Sequence, residues 1–461
     1  MKKKLLFYFL ALSFTVNAQY SNILSFNFTK GASPYGNLVF SKGVLYGMTF
    51  DGGANGRGCI FSIDTNGSGY RDLHDFNGAS GGQPTGSLTL SGSKLFGMTW
   101  LDGLHDSGCV FSIDTSGNVY RDIFNFNGIN GANPYGSLTV SGNKLYGMTE
   151  NGGAHFKGCI FSVDTNGNGY KDILDFNGTD GAKPLGALTL SLSGSVLYGM
   201  AELGGLHNYG CLFSIDTNGN RYKDLLDFDG LNNGASPFGS LTLSGKALFG
   251  MAQSGGASGH GNIFSIDTNG TGYKELFSFN NTDGAFPLGS LALSGNMLYG
   301  MTSQGGASDS GCLFTIDTNG MNYTKLLDFN NTLGYAPNGS LTIFGKVMYG
   351  MTKNGGTGGD GVIFSFKDTN ITNSITELTF SPEAMILYPN PNNGRFTVSL
   401  QGVSEKAQIT VFNVMGEQVY QSALNGTNTP IEIDSKANGI YLYRIIKETG
   451  GLVSEGRFII Q

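Results

Sequence analysis

The sequence predicts an all-β protein: a seven-bladed β-propeller closed by its own N-terminal strand, followed by a small immunoglobulin-like β-sandwich. Three observations point there. A Tyr/Phe-Gly-Met triplet recurs with its glycine at Gly47, Gly97, Gly147, Gly199, Gly250, Gly300 and Gly350, so successive copies lie 50, 50, 52, 51, 50 and 50 residues apart. Self-similarity at that period marks an array of like units. The composition holds 74 glycines, 33 phenylalanines and 21 tyrosines but only 13% charged residues, which suits short aromatic strands joined by many turns and not helices. Finally, the array is out of step with its ends. The last copy, Gly339 to Lys367, stops one strand short, and the missing strand stands at the start of the chain.

The first eighteen residues read as a secretory signal. Lys2, Lys3 and Lys4 precede an apolar run from Leu5 to Val16, and Val16-Asn17-Ala18 offers small residues for cleavage after Ala18. The run is shorter than the ~20 apolar residues of a membrane span, so no transmembrane segment is expected once it is removed. No cysteine follows the cleavage point to take a lipid anchor. Removing three lysines takes the formal charge from −7 to −10, which argues against nucleic acid or an anionic membrane as partner.

The array, residues 20–367, is best read in its third copy, residues 136–185. Four strands are predicted there: a (Ser137 to Ser141), b (Lys144 to Thr149), c (Cys159 to Asp164) and d (Tyr170 to Asn177), punctuated by SGN, ENGGAHFKG and TNGNG. Strands b and c are apolar on both faces, as in sheets packed between neighbours. Strand d carries Lys171, Asp172 and Asp175, and charge on an outer strand discourages pairing with other chains. Four-stranded units repeated radially make a propeller, and the triplet glycine would let neighbouring blades approach closely.

Ring closure follows from the two ends. Ile23 to Asn27, Gly31-Ala32 and Pro34-Tyr35-Gly36 align without gaps to Ile173 to Asn177, Gly181-Ala182 and Pro184-Leu185-Gly186. The N-terminal segment should therefore supply strand d of the seventh copy. A linear solenoid has no use for such a permutation.

The motifs LYGMT, GGA, GCIFSIDTNG and FNG followed by GAxP resemble the GloVer tandem repeat of bacterial exported proteins, which carry a choice of C-terminal anchors. The methionine after the triplet glycine departs from the threonine more usual in that family. The resemblance implies fold and export, and it brings no active site with it.

Residues 368–386 lose the repeat and read as a polar linker. Residues 387–461 then present LYPNPNNGRFTVSL, ITVFNVMGEQVYQS and NGIYLYRI. These blocks resemble the type A C-terminal sorting domain of type IX secretion substrates, with Tyr388, Pro389, Asn390, Pro391, Gly394, Gly416, Gly439 and Tyr441 at the family's positions. The resemblance implies a β-sandwich, the type IX machinery as a partner, and passage through the periplasm to the outer surface or the medium of a Gram-negative bacterium. Alternation of Phe396, Val398 and Leu400 supports strands independently.

Candidate chemistry is sparse. Cys59, Cys109, Cys159, Cys211 and Cys312 share one register at the start of strand c, in five different copies. Facing sheets lie ~10 Å apart, whereas bridged cysteines need Cα atoms within ~7 Å, so free, buried thiols are expected. Asn262 and Val362 fill that place in the other two copies, which suits packing. The turn from Asp164 to Asp175 puts oxygen ligands at calcium-loop spacing, and Asp64 to Asp75 is similar. An Asn/Gly hairpin explains the same residues, and the other copies decay to Asn125, Ser278 and Met321-Asn322. Calcium is therefore the alternative to an expectation of no cofactor. His105, His155 and His207 share a register of the b–c loops, but ligands to one metal must converge, and loops of successive blades diverge. No metal centre is expected from them.

What remains is a surface. The b–c and d–a loops emerge together at one end of a propeller. Trp100, the single tryptophan, opens the b–c loop of copy two beside Leu101, and Phe50, Glu150, Glu202, Gln253 and Lys353 take its register elsewhere. A tryptophan among polar groups suits stacking on a sugar ring or a protein contact; covering a blade edge is the structural alternative. Trp100, Leu101, Glu150, His155, Glu202 and His207 are the candidate binding residues. Glu150 and Glu202 resemble the paired carboxylates of a glycosidase, but they are copies of one repeat position, with nothing in the sequence to distinguish their environments. The reading is an exported, non-catalytic binding scaffold for an extracellular glycan or protein. Its rivals are a secreted carbohydrate-active enzyme using the same loop face and a structural surface or adhesion component.

Overall fold

The computed structural model describes residues 19–368, 371, 385–389, 392–400, 407–413, 418–424, 426, 428–433, 438–447 and 452–460. The predicted signal segment lies outside the described residues. The chain divides into two compact units, Met1–Ser374 and Ile375–Gln461. Both are all-β, with no α-helix among the described residues and no helix there long and apolar enough to cross a membrane.

The first unit holds seven four-stranded antiparallel sheets. In copy three they run Thr139–Ser141, Lys144–Thr149, Cys159–Asp164 and Lys171–Asp175, in that spatial order. Strand a is shorter than its sequence suggests: Gly136 closes against the backbone of Gly186 in the next copy, and Ser137 Oγ accepts from the Ser87 amide of the preceding one. Strand d is shorter too, and it carries a bulge: Ile160 faces Leu174 and Phe161 faces Asp172, leaving Ile173 as the extra residue. The same bulge falls at Leu73, Ile123, Leu225, Leu276 and Leu326.

The N-terminal strand, Tyr20–Ser25, pairs antiparallel with Val362–Lys367 and completes the seventh sheet. It bulges at Ile23, the residue aligned with Ile173, so even the irregularity of strand d is kept across the permutation.

Apolar clusters fill the space between successive copies. One joins Phe96, Met98, Val110 and Phe126 to Leu138, Leu145, Phe161 and Val163; another joins Phe26, Tyr349, Met351 and Ile363 of the last sheet to Leu38, Leu45, Phe61 and Ile63 of the first. The triplet glycine serves this packing differently from expectation. A Cβ on Gly147 would lie 2.6 Å from the ring of Phe161, which is paired with it in the same sheet. Gly147 thus makes room for Phe161 to lie flat and meet Phe126 of the preceding copy, ring centres 5.0 Å apart.

Close backbone approach between copies belongs to another glycine. A Cβ on Gly86 would lie 2.0 Å from the carbonyl oxygen of Gly136, one on Gly136 2.1 Å from that of Gly186, and one on Gly339 2.2 Å from that of Gly36. Alongside, the Ser87 amide donates to Ser137 Oγ at 2.8 Å and the Ser240 amide to Ser290 Oγ at 2.7 Å. All seven copies line a narrow cavity of about 60 Å³ at this level.

In the second unit a three-stranded sheet (Met385–Tyr388, Arg395–Leu400, Asn428–Glu432) and a four-stranded sheet (Gln418–Leu424, Ala407–Phe412, Gly439–Lys447, Leu452–Ile460) share one core of Phe396, Val398, Ile409, Val411, Tyr441 and Phe458. Among the sorting-domain positions, Tyr441 is buried against Phe458, Gly394 takes φ +91° where its amide meets Asn392 Oδ1, and Gly439 opens its strand. Tyr388 is exposed and Pro389 follows it through a cis bond. Asn390, Pro391 and Gly416 lie outside the described residues.

Candidate functional site

Strand b ends in threonine or alanine, and the residue after it is held the same way in every copy. The Trp100 amide donates to the Gln83 carbonyl at 3.3 Å, that of Glu150 to Asn133 at 3.1 Å, and that of Glu202 to Lys183 at 3.1 Å. The accepting residues sit in the left-handed region, with φ of +54°, +54° and +52° for Gln83, Asn133 and Lys183. A shared backbone thus presents different side chains at one level: Phe50, Trp100, Glu150, Glu202, Gln253, Ser303 and Lys353.

Two of these seven are aromatic and two acidic, and they stand in successive copies. The Lys353 ammonium lies over the Tyr35 ring at 4.8 Å, Tyr35 meets Phe50 at 5.0 Å, and Phe50 meets Trp100 at 6.4 Å. Trp100 Nε1 then donates to Glu150 Oε2 at 3.1 Å, and Glu150 Oε1 pairs with Lys183 Nζ at 3.4 Å. Asn133 Nδ2 donates to the Trp100 carbonyl at 3.0 Å, fixing the backbone beneath the ring. Tyr135 and Phe238, from copies two apart, touch edge to face at 5.3 Å. Burial raises the Tyr135 hydroxyl's pKa, and nearby Tyr35, Glu150 and Glu202 raise it further. Those four groups therefore share one neighbourhood.

The two glutamates differ more than their common register suggests. Glu150 accepts from an indole N–H and a lysine. Burial raises the Glu202 carboxyl above the usual range, with Lys183 opposing and Glu150 reinforcing the shift.

The structure thus brings Trp100, Glu150 and Glu202 together. Leu101 is half-buried and exchanges backbone hydrogen bonds with Gly82 at 3.1 and 3.2 Å. His155 and His207 are exposed on the tips of their loops, as is His105. Sequence reasoning missed Tyr35, Tyr135 and Phe238. They occupy the variable position just before the inter-copy glycine, where the other copies have Thr85, Leu185, Leu288 and Asn338, and comparing the aligned copies at that column would have found them.

The calcium spacing does not survive as one shell. Asp164 ends strand c and pairs with Lys144 at 3.0 Å, while Asp175 lies opposite Cys159 at the start of that strand. Five residues of strand separate the two levels, roughly 16 Å. Asp175 and Asp172 instead approach Cys159, their ligand-type atoms all within 4.8 Å. The five cysteines are free and buried.

The profile of the Gloeobacter/Verrucomicrobia repeat matches residues 10–205 and 190–364, and that of the secretion system C-terminal sorting domain matches residues 386–461. No curated protein matches. Among solved structures, PorZ, described as an essential bacterial surface component of the type IX secretion system of Porphyromonas gingivalis, aligns with TM-score 0.46 and 14% identity over 93% of this chain and 59% of its own. A puromycin-hydrolyzing peptidase of Mycobacterium tuberculosis aligns with TM-score 0.50 and 10% identity over 81% of this chain and 60% of its own. A nidogen/laminin complex gives TM-score 0.40 and 12% identity over 62% of this chain and 93% of its own. At 10% identity the likeness to the peptidase is one of fold alone.

Proposed function

The chain belongs to the Gloeobacter/Verrucomicrobia repeat family and ends in a type IX sorting domain that directs it to the cell surface or the medium, and from that premise we propose that it is an exported, non-catalytic binding scaffold. Its seven sheets form a closed seven-bladed propeller. The borrowed first strand, the shared core of first and last sheets, and the Gly339–Gly36 contact support closure. The ligand, a glycan or a protein, sits on the aromatic and acidic level around Trp100, Glu150 and Glu202.

The observation that carries this reading is the run Tyr35, Phe50, Trp100, Glu150, in which side chains from three successive copies make one continuous surface. Ring faces beside hydrogen-bonding groups suit a hydroxyl-rich or amphipathic ligand. The test is to expose the mature chain and its Trp100→Ala variant to immobilised and soluble polysaccharides, measuring both retention and released sugars. Retention that depends on Trp100 without release supports the scaffold. Silence in both channels would count against a glycan and direct the search to protein ligands.

One observation favours a second reading, a secreted carbohydrate-active enzyme. Burial raises the Glu202 carboxyl above the usual range, which suits a general acid, and Glu150, bonded to Trp100 and Lys183, is the carboxyl that neighbours it. Released sugars, abolished by Glu202→Gln, would establish it in place of the scaffold.

A further inference from the structure

Strand d carries, in every copy, two side chains three residues apart on the face that meets strand c and the b–c loop. They are Asp72/Asp75, Asp122/Asn125, Asp172/Asp175, Asp224/Asp227, Glu275/Ser278, Lys325/Asp328 and, from the N-terminal strand, Asn22/Ser25. The second member does one job throughout. Asp75 accepts from the Ala54 amide at 2.8 Å, Asn125 from Leu104 at 2.8 Å, Asp175 from Ala154 at 2.9 Å and Asp227 from Leu206 at 2.7 Å. Ser278, Asp328 and Ser25 accept from Ala257, Ala307 and Thr357. Each pair is thus the anchor of its b–c loop.

In four copies a permanent N–H donor stabilises the pair. Asn125 Nδ2 donates to Asp122 at 2.9 Å, Asn262 Nδ2 to Glu275 at 2.9 Å, Lys325 pairs with Asp328 at 2.9 Å, and Asn22 Nδ2 donates to Ser25 at 3.0 Å. Copies one, three and four have two carboxyls and no side-chain donor between them; the first carboxyl accepts only from the backbone amide two residues on, that of Leu226 for Asp224 at 3.1 Å. The groups packed against them are already engaged: the Tyr70, Tyr170 and Tyr222 hydroxyls donate to the carbonyls of Lys30, Asn130 and Asp180, and the Cys59, Cys159 and Cys211 thiols face the same carbonyls. Arg71, Lys171 and Lys223 reach away to carbonyls of the next copy. The remaining charged or titratable neighbours are His74 beside Asp75 and Asp180 beside Cys211 and Tyr222. A proton shared between the two carboxyls would supply a side-chain donor of the same kind.

We propose that Asp72, Asp172 and Asp224 each hold a proton donated to Asp75, Asp175 and Asp227, and that this proton fastens the b–c loops of copies one, three and four. Those loops begin at Phe50, Glu150 and Glu202, so the same protons regulate the ligand surface; this last step rests on the proposed binding face, whereas the fastening does not.

Burial first, and then the facing carboxylate, holds each of the three first carboxyls up to about 6. The unfolded chain releases these protons near pH ~3.9. Between those values the folded state binds more protons than the unfolded one, so stability falls as pH rises through that window and levels off above it. Raising the pH past about 6 therefore loosens these three loops; burial raises the Asp122 carboxyl of copy two as well, but its Asn125 donor stays in place when the proton leaves.

The test is amide hydrogen exchange of the full mature chain at pH 5 and pH 8, corrected for the intrinsic rate change. Relative to the Leu104, Ala257, Ala307 and Thr357 loops, those at Ala54, Ala154 and Leu206 should lose about tenfold in protection, the equivalent of one pKa unit. The Asp72→Asn, Asp172→Asn, Asp224→Asn variant, which installs at the first position the amide donor that copy seven already has in Asn22, should abolish the difference. Uniform loss across all seven loops, or a difference that persists in the variant, overturns the proposal. If the loops respond as expected but retention on the polysaccharide that the Trp100 comparison identifies is the same at both pH values, the regulatory step alone is refuted.

Discussion

Thr342 of the seventh copy donates its hydroxyl to the carbonyl of Leu38 in the first. Thr89 makes the same bond to Leu138, and Thr139 to Leu188, each 49 residues ahead. The junction of last and first copies is therefore chemically the same as an interior one, except that its outer strand comes from the other end of the chain. Deleting Tyr20 to Thr29 should be correspondingly costly. It removes the partner of Val362–Lys367 and the fully buried Phe26, whose loss alone is worth roughly 3–5 kcal/mol. Differential scanning calorimetry should show a large drop in melting temperature; a truncated chain that melts like the intact one would refute the closed ring.

Gly86 offers a sharper probe of the centre. A methyl group there has a backbone oxygen 2.0 Å away, with no flexible side chain to yield. Gly86→Ala should cost at least the 1–3 kcal/mol typical of overpacking, read from denaturant unfolding. A loss below about 0.5 kcal/mol, the range of an ordinary surface substitution, would mean that the copies are not packed as closely as described.

The strand count, the permuted strand and the register of the cysteines were legible because they depend on period and alignment, which any one copy displays and the others repeat. Contacts between copies were not. Gly147 and Gly136 look equally suited to close approach in the sequence, and only the pairing of Gly147 with Phe161 assigns the first to its own sheet. Glu150 and Glu202 looked equivalent because they share a register. Their difference comes from Trp100 and Lys183, which reach Glu150 from the preceding copy and from the turn entering the next. Periodicity says which residues are equivalent; it does not say which neighbour each one meets.

The thiols give a prediction that depends on register alone. Cys59, Cys109 and Cys159 each sit 3.3 Å from the hydroxyl of Thr49, Thr99 and Thr149 in the adjacent strand, and burial pushes all three thiols up to about 12. Since the thiolate is the reactive form, the native protein should resist alkylation at neutral pH. Unfolding without reductant should then release five labelled cysteines by mass spectrometry. Fewer would reveal a bridge that the separation of the copies forbids.

Trp100 is the chain's single tryptophan, so its fluorescence reports one place without ambiguity. Its indole N–H is held by Glu150, its ring lies beside Phe50, and its carbonyl is fixed by Asn133. Glu150→Ala removes the acceptor and should shift the emission to the red as water reaches the freed N–H, while Glu150→Gln, which keeps an oxygen in place, should shift it less. Glu202→Gln leaves the hydrogen bond intact and serves as the comparison. An emission spectrum indifferent to Glu150→Ala would mean that the indole does not bond across the two copies in solution. The continuous aromatic and acidic surface on which the binding role rests would then be divided at that point.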